Sequence, residues 1–168
     1  LDAGPQPILW IGHRRLSAAD LEVYPHLRAI CIPKGALGGD CPRIPLVVSP
    51  QHRVLVRSRI IARMFEEDEV LVAAKHLVGT GGIHILEDGH DVEYWHLMLP
   101  NHQVIYSAGA LTESLYAGAQ ALRCIGDAGR RELLEIMPHL DVTSVPPART
   151  FANGRMGRTL AVRHEKNN

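Results

Sequence analysis

The chain has 168 residues, and its 18 Lys plus Arg are balanced by 18 Asp plus Glu, so the net charge is zero at neutral pH. That length suits one domain with a real core and is too short for two independent ones. The balance provides no net field for nucleic acid or an anionic membrane, and no apolar run approaches the ~20 residues needed to span a bilayer.

Taken in chain order, the predicted elements are short β-type runs separated by Gly and Pro up to Tyr116. Pro7–Ile11 is a first strand that stops at Gly12. Leu27–Ile32 is a second, ended by Pro33-Lys34-Gly35. Leu46–Val48 and Arg53–Val56 flank the turn Ser49-Pro50-Gln51-His52, where Pro50 presets φ at the first turn position. The basic residues Arg53, Arg57, Arg59 and Arg63 precede Glu66, Glu67, Asp68 and Glu69, which reads as a solvated, self-compensating loop or hairpin end. Val70–Ala73 is a strand, Ala74–Val78 one helical turn, and Gly79–Gly82 a tight loop. Ile83–Leu86 and Val92–Leu99 follow as strands joined by a hairpin connection at Glu87–His90. Pro100-Asn101 then turns the chain into a strand over His102–Tyr106.

Beyond Tyr116 the pattern changes. Asp127 caps a predicted helix over Ala128–Met137, with Leu133, Leu134, Ile136 and Met137 as its apolar face and Pro138 as its stop. The Pro146-Pro147 and Gly154/Gly157 stretches read as an irregular tail around a short final element. The expectation is therefore an all-β, mostly-β domain over residues 1–118. Residues 119–168 are expected to form a C-terminal helix and tail, packed on or extending the same domain.

Three cysteines, Cys31, Cys41 and Cys124, form no metal or redox spacing, and their odd number argues against a complete disulfide framework. Cys31 reads as a small buried hydrophobe and Cys41 as exposed, with a bridge between them left open. The ten histidines invite a metal reading, since His84, His90, His96 and His102 recur every six residues. No Cys-x-x-Cys or His-x-x-x-His pattern supports it, and no metal or other cofactor is expected.

The residues best suited to chemistry are Ser49 and His52. A hydroxyl and an imidazole three positions apart, set between two aliphatic runs, can aim a hydrogen-bond donor and a proton shuttle at one buried carbonyl. That is the apparatus for activating a peptide bond, a poor electrophile with a poor leaving group. The plainer alternatives stay open: His52 as a backbone cap of a hairpin, Ser49 as an ordinary turn residue, His102 as an edge-strand histidine. Tyr94, His96 and Met98 share one face of a strand, where His96 reads as a structural or supporting residue. Trp10 and Trp95 read as core or sheet-face aromatics.

Three ordered blocks carry a family resemblance. Ser49-x-x-His52 resembles the Thr-x-x-His block of Hint domains, the self-processing module shared by hedgehog proteins and inteins. Tyr94–His102, followed by Ser107-Ala108-Gly109, resembles the late block, with its Tyr, a His eight positions on and a small-small-Gly turn. Gln6–Gly12 and Glu113–Tyr116 are similar to stretches near the start and end of a bacterial Hint subfamily. The resemblance spans roughly residues 5 to 118.

It implies a compact, horseshoe-like β fold with one short C-terminal helix, acting on the peptide bond before its own first residue. His52 would protonate the departing nitrogen, Ser49 would polarise the scissile peptide, and His102 would be a second proton-transfer residue, with His96 and Tyr94 in support. In the family a Cys or Ser opens the domain as nucleophile. That strand is expected upstream of Leu1, so a chain starting there is expected not to initiate cleavage, and either to self-associate through the unpaired surface or to need the missing segment for stability. Trp95 stands where inteins commonly carry Asp, and Glu113-Ser114 where they carry His-Asn, which narrows the reading to N-terminal cleavage or transfer.

The self-substrate would be the upstream polypeptide, and a complementing N-terminal segment is a further partner, as in split systems. Neither nucleic acid nor membrane is implied. The rival reading is a degenerate, non-cleaving Hint-fold binding or assembly module of a bacterial secreted or surface protein. Cellular compartment is left open by the sequence.

Overall fold

The computed structural model describes residues 2–87, 89–118, 125–136 and 146–165. Among the described residues, nine strands form three antiparallel sheets. β1 (Trp10–Leu16) pairs with β7 (Val92–Met98). β2 (Ile30–Ile32) lies between β3 (Leu46–Val48) and β6 (His84–Ile85). The largest sheet has the order β5 (Glu69–Ala73), β4 (Arg53–Arg57), β9 (Ala110–Glu113), β8 (Val104–Ser107). The chain is mostly β with a few short helices, as its patterning requires.

The two continuous apolar runs in that sheet follow from burial on both faces. Val54 on β4 and Val70 and Val72 on β5 enter the main core with Ile30, Ile32 and Ile61. Leu55 and Leu71, pointing the other way, join Val104 in a separate cluster. Both faces being dry, neither strand can alternate apolar with polar residues. Each such side chain contributes about 1.5–3 kcal/mol when fully buried.

Helices are more numerous than the one C-terminal helix expected. α1 (Ala18–Val23) opens on a reciprocal cap: Asp20 N–H donates to Ser17 Oγ at 3.1 Å, and Ser17 N–H donates to Asp20 Oδ2 at 2.9 Å. The expected loop after β4 is instead α2 (Arg59–Phe65), capped by Ser58, whose Oγ accepts from Ile61 N–H at 3.2 Å. Ile61, fully buried, ties it to the core. α3 (Gly126–Ile136) forms where a helix was predicted, but its buried anchor is Leu133, while Leu134 and Ile136 face solvent. Met137 lies outside the described residues.

The Gly154/Gly157 stretch, expected to be irregular, is α4 (Gly154–Glu165), with Asn153 Oδ1 accepting from Met156 N–H at 3.0 Å and Leu160 fully buried. Its glycines serve close packing: a Cβ at Gly157 would sit 3.0 Å from Cβ of His76.

Three further expectations are corrected. Gly12 does not end the first strand; β1 runs through it to Leu16, because the Trp10 indole folds over that position and leaves no room for a Cβ. The Glu87–His90 region is no hairpin, since β6 pairs with β2 and β7 with β1. Cys31 and Cys41 are both free and both half-buried, and Cys41 Sγ donates to Gly109 O at 3.4 Å. Cys124 lies outside the described residues.

Candidate functional site

The turn Ser49–His52 links two different sheets, since β3 pairs with β2 whereas β4 pairs with β5 and β9. It is not a hairpin, so His52 has no hairpin to cap. His52 N–H closes the turn on Ser49 O at 3.1 Å. The turn is held from outside by Ala74 N–H donating to His52 O at 2.9 Å and Lys75 N–H donating to Pro50 O at 3.1 Å. So braced, the turn presents the Ser49 and His52 side chains to a cavity of about 420 Å³.

Other walls of the cavity come from β7, which contributes His96, from Glu113 at the end of β9, from Tyr116 just after it, and from Phe151. His52 keeps some contact with solvent through the cavity mouth, but protein surrounds it closely. That enclosure depresses its pKa, opposed by the Glu113 carboxylate and assisted by Arg53 and His102. His96 is pushed down to about 4 by burial first and then by proximity to His52. Both imidazoles are therefore neutral near pH 7 and available as proton acceptors.

The cavity-lining Glu113 and Arg53 form a buried polar cluster with His102. Glu113 Oε1 accepts from the Arg53 backbone N–H at 2.9 Å and from Arg53 Nη1 at 3.2 Å, while Oε2 accepts from Nη1 at 3.1 Å. His102 Nε2 lies 3.2 Å from the same Oε2, with its N–H off the line between them, so the contact is mainly electrostatic. Burial pushes the Glu113 carboxyl up, but His102, Arg53 and His52 outweigh it and hold the group below the usual carboxylate range.

Of the residues anticipated from sequence, Ser49, His52 and His96 meet at one cavity. His102 does not line it. It sits fully buried ahead of β8, rather than within a strand, behind the cavity-lining Glu113, Tyr116 and Phe151. Tyr94 is placed apart: its hydroxyl donates to Leu27 O at 2.6 Å, bracing β7 against the segment before β2, and burial raises its pKa.

Sequence reasoning missed Glu113 and Arg53. In the sequence Glu113 is the first residue of a family block and stands where inteins carry the His of His-Asn, and Arg53 reads as part of a solvated basic cluster. The available signal was position: Arg53 opens an apolar strand directly after His52, and Glu113 closes another.

Trp95 is 61 % exposed and stacks on His13 with ring centroids 4.9 Å apart. Among the described residues no cluster of three or more His, Cys, Asp or Glu is arranged to hold a metal ion, and no helix is long and apolar enough to cross a membrane.

The model of the Hint domain matches residues 1–119, well over half of the chain. The chain belongs to the Hint domain family. No curated protein and no solved structure matches it. Within this Hint domain, the Ser49–His52 turn and His96 border the cavity, whereas Phe151 comes from beyond the matched residues.

Proposed function

We propose that this Hint domain cleaves its own precursor at a peptide bond presented to the cavity, by an N–S or N–O acyl shift. The observation that carries the reading is the convergence of the Ser49 hydroxyl, the neutral imidazoles of His52 and His96 and the buried carboxylate of Glu113 on a single cavity. A thiol or hydroxyl on the residue after the scissile carbonyl attacks the carbonyl carbon, and the C–N bond breaks. His52 takes the proton from the nucleophile and returns it to the departing nitrogen. The products are a thioester or ester and a free α-amine; water or an external thiol then releases the acyl fragment.

A depressed pKa suits both halves of this transfer. It keeps His52 neutral beforehand and makes its imidazolium a stronger acid afterwards. Ser49 Oγ makes no hydrogen bond to another described residue, which leaves it available to polarise the scissile carbonyl.

The rival reading, a non-cleaving module that binds a partner, draws on the exposed Trp95 ring at the cavity edge. Intact mass spectrometry of the full natural precursor, incubated with and without dithiothreitol or hydroxylamine, separates the two. Thiol-stimulated fragments cut immediately before a Cys or Ser support processing. A folded precursor whose mass never changes supports the binding module.

A further inference from the structure

The residues that finish the site lie outside the matched part of the chain. Residues 148–151 run along the outer edge of β5, where Leu71 N–H donates to Thr150 O at 2.9 Å and Ala152 N–H donates to Leu71 O at 3.0 Å. Side chains fasten the same segment: Arg149 pairs with Glu69, and Thr150 Oγ1 donates to Glu67 Oε1 at 2.6 Å. So anchored, the segment touches the buried cluster through two of its residues. Ala148 N–H donates to His102 Nδ1 at 2.9 Å. The Phe151 ring lies under the Arg53 guanidinium, 3.9 Å from Cζ to ring centroid, and its edge-on neighbours are His102 at 5.8 Å and Tyr116 at 5.0 Å.

We infer that residues 148–151 are a positioning element of the processing site. Ala148 holds His102 in the Nε2–H form that faces Glu113, and Phe151 walls the cavity and seats Arg53. The inference rests on the processing reading for its kinetic consequence, but its geometric core is independent of it.

The chemistry is that of a ring with two nitrogens and one proton. An Nδ1 that accepts a backbone N–H is unprotonated, so the proton of the neutral ring is on Nε2, directed to the side of Glu113 Oε2. Without the Ala148 donor, nothing prevents the tautomer that turns a lone pair toward a carboxylate. Glu113 would then lose a favourable neighbour, and with it the fixed placement of the charge that acts on His52. Phe151 contributes differently: it excludes water from one side of Arg53 and strengthens the Arg53–Glu113 attraction.

The test uses the full precursor and three variants. Long-range imidazole ¹⁵N spectra of the unmodified protein should report His102 as the Nε2–H tautomer; an Nδ1–H signature overturns the inference outright. Ala148→Pro removes the donor, and Ala148→Gly retains it. The expectation is an altered His102 tautomer signal and about tenfold slower cleavage for Ala148→Pro, with both restored in Ala148→Gly. Phe151→Ala should slow cleavage by a similar factor.

Variants that cleave at the parental rate with an unchanged tautomer refute the positioning role. A parent that never cleaves, yet whose His102 tautomer responds to Ala148→Pro, refutes the processing reading and leaves the positioning role standing. Should Ala148→Pro fail to fold, the tautomer of the unmodified protein and the Phe151→Ala rate still decide.

Discussion

Arg53 and Glu113 meet through backbone and side chain at once: one carboxylate accepts the Arg53 amide N–H at 2.9 Å and its guanidinium at 3.1 and 3.2 Å. The contact joins the first residue of β4 to the last of β9, so a single acid sets both the sheet register beside the cavity and the charge behind it. Its side chain is only 8 % exposed, and leaving the arginine there unpaired is costly.

Glu113→Ala should therefore destabilise the fold by about 3 kcal/mol in urea unfolding at pH 7. The double variant Arg53→Met with Glu113→Leu should lose clearly less than the two single changes summed. Because the folded carboxyl is held below its ordinary range, its contribution is complete above that range and is lost as pH falls through the depressed value. A Glu113→Ala penalty that did not shrink at low pH would contradict this assignment.

Acidification has a second effect, through histidine. Between about pH 4 and 6.5 the unfolded chain binds a proton at His96 that the folded chain excludes, so stability rises with pH across that window and falls on acidification. His52 shifts in the same direction. His96→Gln should flatten the stability profile there by at most about 1.4 kcal/mol per pH unit, measured as denaturation midpoints from pH 4 to 7.

Gly12 is required by its neighbour two residues back. A Cβ there would lie 2.0 Å from the buried Trp10 ring, so Gly12→Ala must displace the indole from its packing against Met98 and Leu133. The expected cost is about 2 kcal/mol, accompanied by a change in tryptophan fluorescence. Unaltered emission and melting would show that the ring relocates freely.

Leu133, fully buried against Trp10, makes α3 part of the same core as β1. Leu133→Ala should cost about 3 kcal/mol while unfolding remains a single transition. A separate early transition for the helix would show that the C-terminal part folds independently.

For processing itself, His52→Ala should slow precursor cleavage by about a hundredfold or more while the thermal transition is retained. His102→Ala, buried and fastened by Ala148, should lower both stability and rate. A His52→Ala protein that cleaves normally would transfer the proton-shuttle role to His96.

Much of this was legible in the chain because it is local. Aliphatic runs between Gly and Pro mark strands wherever they occur, and Pro50 marks the Ser49–His52 turn. The family blocks are themselves contiguous short stretches. What escaped was set by distant partners. Gly12 reads as a strand stop until Trp10 is seen lying over it, and the Gly154/Gly157 stretch reads as irregular until His76 is seen packed against those glycines.

A mostly-β Hint domain with a hydroxyl–imidazole turn at Ser49–His52 was thus readable from the chain itself, since turn geometry and strand patterning depend on neighbours a few residues away. Tertiary structure alone decided that Glu113, 60 positions from Arg53, is a buried counter-ion. It also decided that His102 takes a hydrogen bond from Ala148, 46 positions on, and that Ser49, His52 and His96 share one cavity. Desolvation and charge pairing depend on what the fold brings within a few ångströms, and no local spacing encodes that.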